Sequence, residues 1–357
     1  MASKSPSRKK TVRKNRKKRS AIAVILSVLL VLLLMIAGAA AWITIHSLNK
    51  IQRVDTDKEV WIDPSLEDFE EDEPEETPES NDPDAAKPAV TLDPFGVQWK
   101  LPETVAQNDK VHNILLIGQD RRPGEGRARS DSMIICSVNE DTNEIRLCSL
   151  MRDMYVPFPG GYSDNRINAA YTFGGMSLLD QLIEEDLGIP IEGNVEVDFD
   201  GFLNVMGLIA PLEIELNDVE AWYLNNAGGW MLHTGVNALN AEQLLLYARV
   251  RSIGHADYDR TERQRKVVTA AFNKIRTMSV SQLTQIANAA LPCVTTDLSN
   301  SEILNYVYMV GANRMSIAGT LRIPADGTHT PQMIRGMSVL LPDLDANSTI
   351  LREFLYQ

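Results

Sequence analysis

The sequence predicts an α/β protein: a layered α/β/α domain with a mixed central sheet, preceded by one transmembrane helix. Three observations carry this. Short apolar runs of strand length, such as Asn113 to Gly118 (NILLIG), alternate with longer stretches of helical periodicity. Ala21 to Ile43 is 23 residues without a charge, and about 20 apolar residues suffice to cross a bilayer. The net charge of −13 over 357 residues is a sum of blocks, +10 in residues 1–20, +2 from Lys50 and Arg53, −14 from Asp55 to Asp84 and −11 from Ala85 onward.

Taken in order, residues 1–20 form a basic tail with ten Lys and Arg and no acid. Positive charge beside an apolar span marks its cytoplasmic end, so the expected product is a single-pass protein of the cell membrane, N-terminus inside and domain outside. Trp42 then lies at the outer interface. The rival reading is a cleaved signal peptide with Ala39 to Ala41 as its processing site, but the apolar run exceeds the usual h-region of about 7 to 15 residues. A nucleic-acid arm is the other use of a basic tail. Twenty residues with no DNA-binding fold give no reason to expect a nucleic-acid partner. Residues 44–107 read as an acidic, proline-rich stalk, because EEDEPEETPESNDPD holds too little apolar surface to offset the entropy of ordering it.

From 108 to 357 the pattern is that of a catalytic domain. Ser132 to Asn139 and Glu144 to Leu150 read as strands around an Asp141-Thr-Asn143 turn, and Leu212 to Leu216 and Leu321 to Pro324 as further strands. Met176 to Leu187, Phe199 to Met206, Ala241 to Arg249, Arg260 to Met278 and Ser281 to Leu291 read as helices. Cys136, Cys148 and Cys293 show no pairing or metal spacing and are expected to serve as small apolar residues.

Between Lys110 and Lys266 there is no lysine but there are twelve arginines. The guanidinium fork grips phosphate oxygens in a bidentate way that an ammonium cannot. Asp120 and Arg122, and Arg129 and Asp131, stand at i and i+2, the spacing that shares a side of extended backbone. Arg152 and Asp153 follow the next strand. Arg249 and Arg251 would face apart on a helix, so the helix ends there, and Asp257 and Asp259 are expected to cap the next one. Its Arg260, Arg263 and Gln264 share a face near an N-terminus suited to an anion. Two like charges at ~4 Å repel by about 4 kcal/mol at an effective dielectric of 20, whereas an exposed salt bridge returns about 1 kcal/mol at most. A convergent cluster therefore implies a polyanion. Without convergence, surface pairing is the reading that remains. Asp120 and Asp131 are the candidate carboxylates for a hard cation such as Mg2+.

Gly118-Gln-Asp120-Arg-Arg122, Arg129-Ser-Asp131, Ser149-Leu-Met-Arg152-Asp153, Arg166-Ile-Asn168-Ala-Ala-Tyr171 with Gly174-Gly175, and Tyr247-Ala-Arg249-Val-Arg251 with Asp257, Arg260, Arg263 and Gln264 resemble, in order and spacing, the motif series of the LytR-CpsA-Psr family. The resemblance implies a membrane-anchored, Mg2+-dependent phosphotransferase. Its implied substrates are a polyprenyl-pyrophosphate-linked glycan and a peptidoglycan acceptor, joined to attach teichoic acid, capsule or a similar polymer. It implies Asp120 and Asp131 as metal ligands, and Arg129, Arg152, Arg249, Arg251, Arg260 and Gln264 on the pyrophosphate. Asp257 would orient the arginines, Arg122 and Arg263 would lie on the substrate side, and Asp153 is the candidate base. Met151, Ala210-Pro211 and Asn240-Ala241 depart from the family pattern at turns. Hydrolysis of the same lipid, or a non-catalytic role as a lipid-glycan binder or envelope regulator, are the competing functions. For a prenyl chain, Phe199, Phe202, Leu203, Met206, Leu208 and Ile209 with Leu178, Leu182 and Ile183 have the right character, although ordinary core has it too.

Overall fold

A computed structural model describes residues 48–61, 91–92, 96–119 and 127–357. The expected membrane span at 21–43 lies outside them. Among the described residues no helix is long and apolar enough to cross a membrane.

The strands are β1 Gln52–Arg53, β2 Thr91–Leu92, β3 Val111–Gln119, β4 Ser130–Asn139, β5 Glu144–Leu150, β6 Tyr155–Val156, β7 Asn165–Arg166, β8 Gly193–Asp198, β9 Leu212–Leu216, β10 Gly235–Leu239, β11 Thr295–Thr296, β12 Ser316–Ile323, β13 His329–Ile334 and β14 Met337–Pro342. The helices are α1 Ala169–Leu187, α2 Phe199–Ile209, α3 Asp218–Gly228, α4 Ala241–Arg249, α5 Asp257–Ile275, α6 Val280–Ala290, α7 Asn300–Ala312 and α8 Leu344–Tyr356. The fold is mixed α/β around a mixed central sheet of order β1-β11-β8-β3-β4-β5-β12. β3 runs parallel to β8 and β5 parallel to β12, while β4 is antiparallel to both its neighbours. The carboxyl ends of β3, β5, β8 and β12 and the start of β4 therefore meet at one edge, where open α/β sheets bind their ligands.

Alternation along the strands sorts side chains between two cores. Met133, Ile135, Cys148 and Leu150 face α1 and α8, while Ile134, Val138, Ile145 and Leu147 pack with Met309 and, from α5, Val268 and Phe272. Cys136 and Cys148 follow the same rule and lie on opposite faces, Cys136 opposite Leu147 and Cys148 opposite Ile135. Both are free, and burial pushes both thiols up to about 12, so they behave as the small apolar residues expected.

Several expected bounds shift. The first long helix starts at Ala169, not Met176, with a break at Gly175 (φ 67°, ψ −150°) after which it restarts. α5 begins at Asp257, and Asp257 and Asp259 do not cap it. Ala256 holds the cap position, with no side-chain cap bond. The two carboxylates fall in the first turn and are engaged elsewhere, Asp259 Oδ2 accepting from His255 N at 2.9 Å. The stalk assigned to 44–107 needs correction at its described ends. β1 pairs with β11, β2 with β13, and Val54, Trp61 and Trp99 pack against the main core. The acid that suggested a stalk is concentrated in 62–90, outside the described residues, whereas 51–61 carries Ile51, Val54 and Trp61, enough apolar surface to dock. The apolar residues considered for a prenyl chain also divide. Leu178, Leu182 and Ile183 lie in the main core, and Met206 and Ile209 in a separate one where α2 meets α4 and α5.

Asp186 near the end of α1 is 2% exposed and its Oδ2 has no hydrogen-bond partner. Burial first, then the neighbouring Glu185 and Asp164, push its carboxyl up to about 8. An acid whose folded value is raised binds its proton in the folded state and releases it on unfolding. Stability then falls as pH rises from the ordinary aspartate value near 4 toward 8. Asp186→Asn should remove that loss, raising stability by several kcal/mol at pH 8 with the gain vanishing toward pH 4. Urea unfolding at the two pH values measures it. A gain that did not grow with pH would contradict the assignment.

Candidate functional site

The antiparallel pairing of β4 with β5 brings the start of one beside the end of the other, Met133 opposite Leu150. Asp131 and Arg152, 21 residues apart, thereby become neighbours, and Arg152 Nη1 donates to Asp131 Oδ1 at 3.0 Å. Asp153 Oδ1 lies 3.5 Å from Arg152 Nε and 3.6 Å from Arg166 Nε. The other wall comes from the turn between α4 and α5. Arg251 Nη2 is 3.7 Å from Asp131 Oδ2, and its Nε is 3.5 Å from Asp257 Oδ1. Arg260 Nη2 donates to the Asp131 carbonyl at 3.1 Å and to Asp257 Oδ2 at 3.0 Å. Four guanidiniums and three carboxylates thus form one continuous network, with Asp257 at its centre.

Position follows from local structure. α4 ends at Arg249 as the spacing indicated, with the Val250 N–H bonded to Leu246 O, yet Arg249 and Arg251 still part. Arg251 enters the network. Arg249 is exposed and its guanidinium carbon stands 4.1 Å from the centre of the Phe199 ring, at the carboxyl end of β8; this is a cation–π distance. Between Arg251 and Asp257 the chain turns tightly through Gly254 (φ 65°) and Ala256 (φ 48°), a conformation unfavourable for alanine.

Burial on its own would push Asp131 up, but Arg152, Arg260 and Arg251 outweigh it and hold the carboxyl below the usual range. Asp257 goes the other way: its deep burial, aided by Asp153, exceeds the pull of Arg260, Arg152 and Arg251. Burial brings Arg260 down to about 10 against the opposing effect of Asp257, which leaves it charged at neutral pH. Arg152 is raised, since Asp153, Asp131 and Asp257 together overcome its burial. The buried Nε atoms of Arg152 and Arg260 make no hydrogen bond. Polar atoms left in that state carry a desolvation cost, which an anion with several acceptor oxygens would relieve at the nitrogens.

Of the residues expected at the site, Asp131, Arg152, Asp153, Arg251, Asp257 and Arg260 converge. Arg129 is exposed, two residues before Asp131, and Arg249 is at the rim. Asp120 and Arg122 lie outside the described residues. Gln264 bridges walls: its Oε1 accepts from Ser132 Oγ at 3.0 Å and its Nε2 donates to Ala248 O at 3.4 Å. Arg263 stands apart from the network. Its side chain is 3% exposed, its Nε donates to Glu220 Oε1 at 2.8 Å, and its Nη1 donates to Val250 O at 3.1 Å. It fixes the carbonyl between Arg249 and Arg251 and so acts as a support. Two participants were not singled out from the sequence. Arg166 stood in the quoted Arg-Ile-Asn motif without a role, whereas Glu220 had no signal beyond its place in a capping box with Asn217.

Fold and network together define an α/β domain with an arginine cradle at the carboxyl ends of parallel strands. The chain belongs to the LytR_cpsA_psr family, whose model matches residues 72–353. It is 30% identical over 224 residues to the regulatory protein MsrR of Staphylococcus aureus (strain COL), covering 62% of this chain and 67% of that one. To the polyisoprenyl-teichoic acid–peptidoglycan teichoic acid transferase TagU of Enterococcus faecalis it is 34% identical over 197 residues, 54% of this chain and 63% of the relative. Among solved structures, Bacillus subtilis TagV superposes with a TM-score of 0.54 at 27% identity, covering 70% of this chain and 98% of that one. YwtF (TagT) with bound octaprenyl pyrophosphate lipid superposes with a TM-score of 0.53 at 22% identity, covering 69% and 91%, a likeness of fold.

Proposed function

We propose that this protein transfers a glycan phosphate from a polyprenyl-pyrophosphate carrier to peptidoglycan, attaching teichoic acid, capsule or a similar polymer. The observation that carries this reading is the convergence of Arg152, Arg166, Arg251 and Arg260 on one edge of the sheet, with Arg129 and Arg249 within two residues of it in sequence. Against the three described aspartates of the network these guanidiniums suit an anionic ligand, which would add to the balance of charge. The names of the relatives supply the chemistry, a teichoic acid transferase and a structure holding octaprenyl pyrophosphate.

In this mechanism a sugar hydroxyl of the acceptor attacks the glycan-side phosphorus. The bond from that phosphorus to the bridging oxygen breaks and polyprenyl phosphate leaves. Arg152, Arg251 and Arg260 neutralise the equatorial and leaving oxygens, where positioning and charge do most of the work in phosphoryl transfer. Asp257 and Asp153 hold those guanidiniums in their forks. With two guanidinium nitrogens at 3.5 and 3.6 Å, Asp153 serves in this reading as a counter-ion, and the hydroxyl proton passes to solvent water.

The donor set suits a cation carried in by the pyrophosphate. Among the described residues no group of three or more His, Cys, Asp or Glu gathers to hold a metal alone. Asp131, with 28% side-chain exposure, is the described carboxylate at the open side, and one or two carboxylates plus phosphate oxygens satisfy Mg2+. When bound, the ion neutralises pyrophosphate charge. Asp131→Asn should raise the Mg2+ concentration for half-maximal turnover by about tenfold; an unchanged Mg2+ titration would remove Asp131 from the metal shell. Three layers, a single-pass anchor at 21–43 and an extracytoplasmic domain complete the proposal, supported by the basic N-terminal tail and by helices on both faces of the sheet.

The direct test is titration calorimetry of the protein with a short polyprenyl pyrophosphate and with the matching monophosphate. The proposal expects the pyrophosphate to bind at least tenfold more tightly, the preference weakening as salt rises. Equal affinity for the two would argue against a pyrophosphate site.

A further inference from the structure

The Gly174-Gly175 pair and the segment 51–61 take no part in the mechanism above, yet they meet. Trp61 packs over Gly174, where a Cβ would come 2.8 Å from its ring. A Cβ on Gly175 would collide with both Glu59 and Arg127, and Gly175 is also at φ 67°. Two successive glycines thus open a slot that the N-terminal segment fills. β1 anchors one end of that segment at the sheet edge, and the Trp61 ring seats the other.

The Glu59 side chain is 9% exposed and both its oxygens are used. Oε1 accepts from Arg127 Nη1 at 2.9 Å, and Oε2 accepts from the Ser177 N–H at 2.9 Å. That N–H is one of those left free where α1 restarts after Gly175, an end that favours a carboxylate. Arg127 also donates through Nη2 to Val60 O at 3.4 Å. The next residues are fixed in turn: Ala128 N donates to Gln119 Oε1 at 3.0 Å, and Ser130 N to Asn168 O at 3.3 Å. Gln119 is itself held by Glu196, whose other oxygen accepts from Tyr171 OH at 2.5 Å. Along 127–131, Arg127, Ala128 and Ser130 are tied to the scaffold, and the residues between and after them are Arg129 and Asp131.

We propose that Glu59 is a positioning residue of the transfer site, which, through Arg127, sets the approach of the segment carrying Arg129 and Asp131 to the arginine cradle. The proposal rests on the transfer reading for its catalytic half only. The segment before the acidic stretch is then a working part of the domain, and a chain cut after Trp61 would lose the hold.

The experiment uses the whole chain in nanodiscs with Glu59→Ala, Glu59→Gln, Arg127→Ala and the double variant Glu59→Ala/Arg127→Ala. Hydrogen–deuterium exchange over 127–131 and steady-state transfer are the two readouts. Glu59→Ala should speed exchange in that segment about tenfold with the rest of the sheet unchanged, and lower kcat about tenfold or more with KM within about twofold. Glu59→Gln, which retains an acceptor for Ser177, should recover part of kcat. The double variant should be no worse than the more affected single one, because both remove the same link. Unchanged exchange over 127–131, an unchanged kcat, or losses that add in the double variant would each overturn the proposal. If the unaltered protein transfers nothing, the transfer reading fails by itself, and the exchange readout still decides whether Glu59 holds the segment.

Discussion

Arg251→Ala is expected to lower kcat/KM for glycan transfer about a thousandfold while leaving the fold in place. An arginine that meets the charge of a transferring phosphoryl group contributes about 10³ to 10⁵ in rate. Arg251 is the cleanest member of the network to remove. Its ion pairs to Asp131 and Asp257 are loose, at 3.7 and 3.5 Å, and its side chain is 24% exposed. The loss in folding stability should stay near 1 kcal/mol or below. Arg260 is a poorer choice, because its side chain is 3% exposed and donates to both Asp257 and the Asp131 carbonyl. Its removal takes the nearest partner from a buried carboxylate, so activity and stability would fall together. Parallel measurement of kcat/KM and thermal unfolding separates the two cases. A stable Arg251→Ala protein with near-normal kcat/KM would take this arginine out of the site.

The second large effect falls on stability. Glu220→Ala should destabilise the domain by about 3 to 5 kcal/mol, the range for deleting one partner of a buried ion pair. Glu220 and Arg263 have side chains 5% and 3% exposed and meet at 2.8 Å, joining α3 to α5. Asp259, 3.6 Å from Arg263 Nη2, compensates only in part, and Glu220 also closes the capping box with Asn217. Because Arg263 donates to Val250 O between Arg249 and Arg251, the surviving folded protein should also transfer more slowly. Urea unfolding gives the energy. A change below about 1 kcal/mol would mean that Arg263 finds another partner and that the pair is not the support described.

These two residues also mark where sequence reading succeeded and stopped. The Ala241–Arg249 helix and the Leu212–Leu216 strand have the bounds that periodicity and breakers indicated, because each is amphipathic over its length. The i, i+2 spacing at Arg249 and Arg251 correctly ended a helix. It carried no information on what Arg251 would meet, since its partners Asp131 and Asp257 arrive from β4 and from beyond a strained turn. Convergence is a property of topology, here of β4 running antiparallel to β5. Arg166 was hidden for the same reason, reaching Asp153 from β7 and donating to Ser338 O on β14 at 2.8 Å. The helix α3 escaped notice because it buries little, only Glu220, Ala221 and Leu224, while Val219 and Trp222 are exposed. Acidic composition masked the docking of 51–61, where Glu59 and Trp61 gain their meaning from two glycines more than a hundred residues away.

The account stands most directly on one reaction. The protein would be given Mg2+ and a polyprenyl-pyrophosphate-linked glycan, and polyprenyl phosphate release followed with and without peptidoglycan oligomers. The account predicts release that depends on the oligomer, with the glycan joined to it through a phosphodiester, and loss of both products in Arg251→Ala. Release at the same rate without acceptor would make the protein a pyrophosphate hydrolase, and binding without release would make it a lipid-glycan binder; either result would contradict the transfer proposed here.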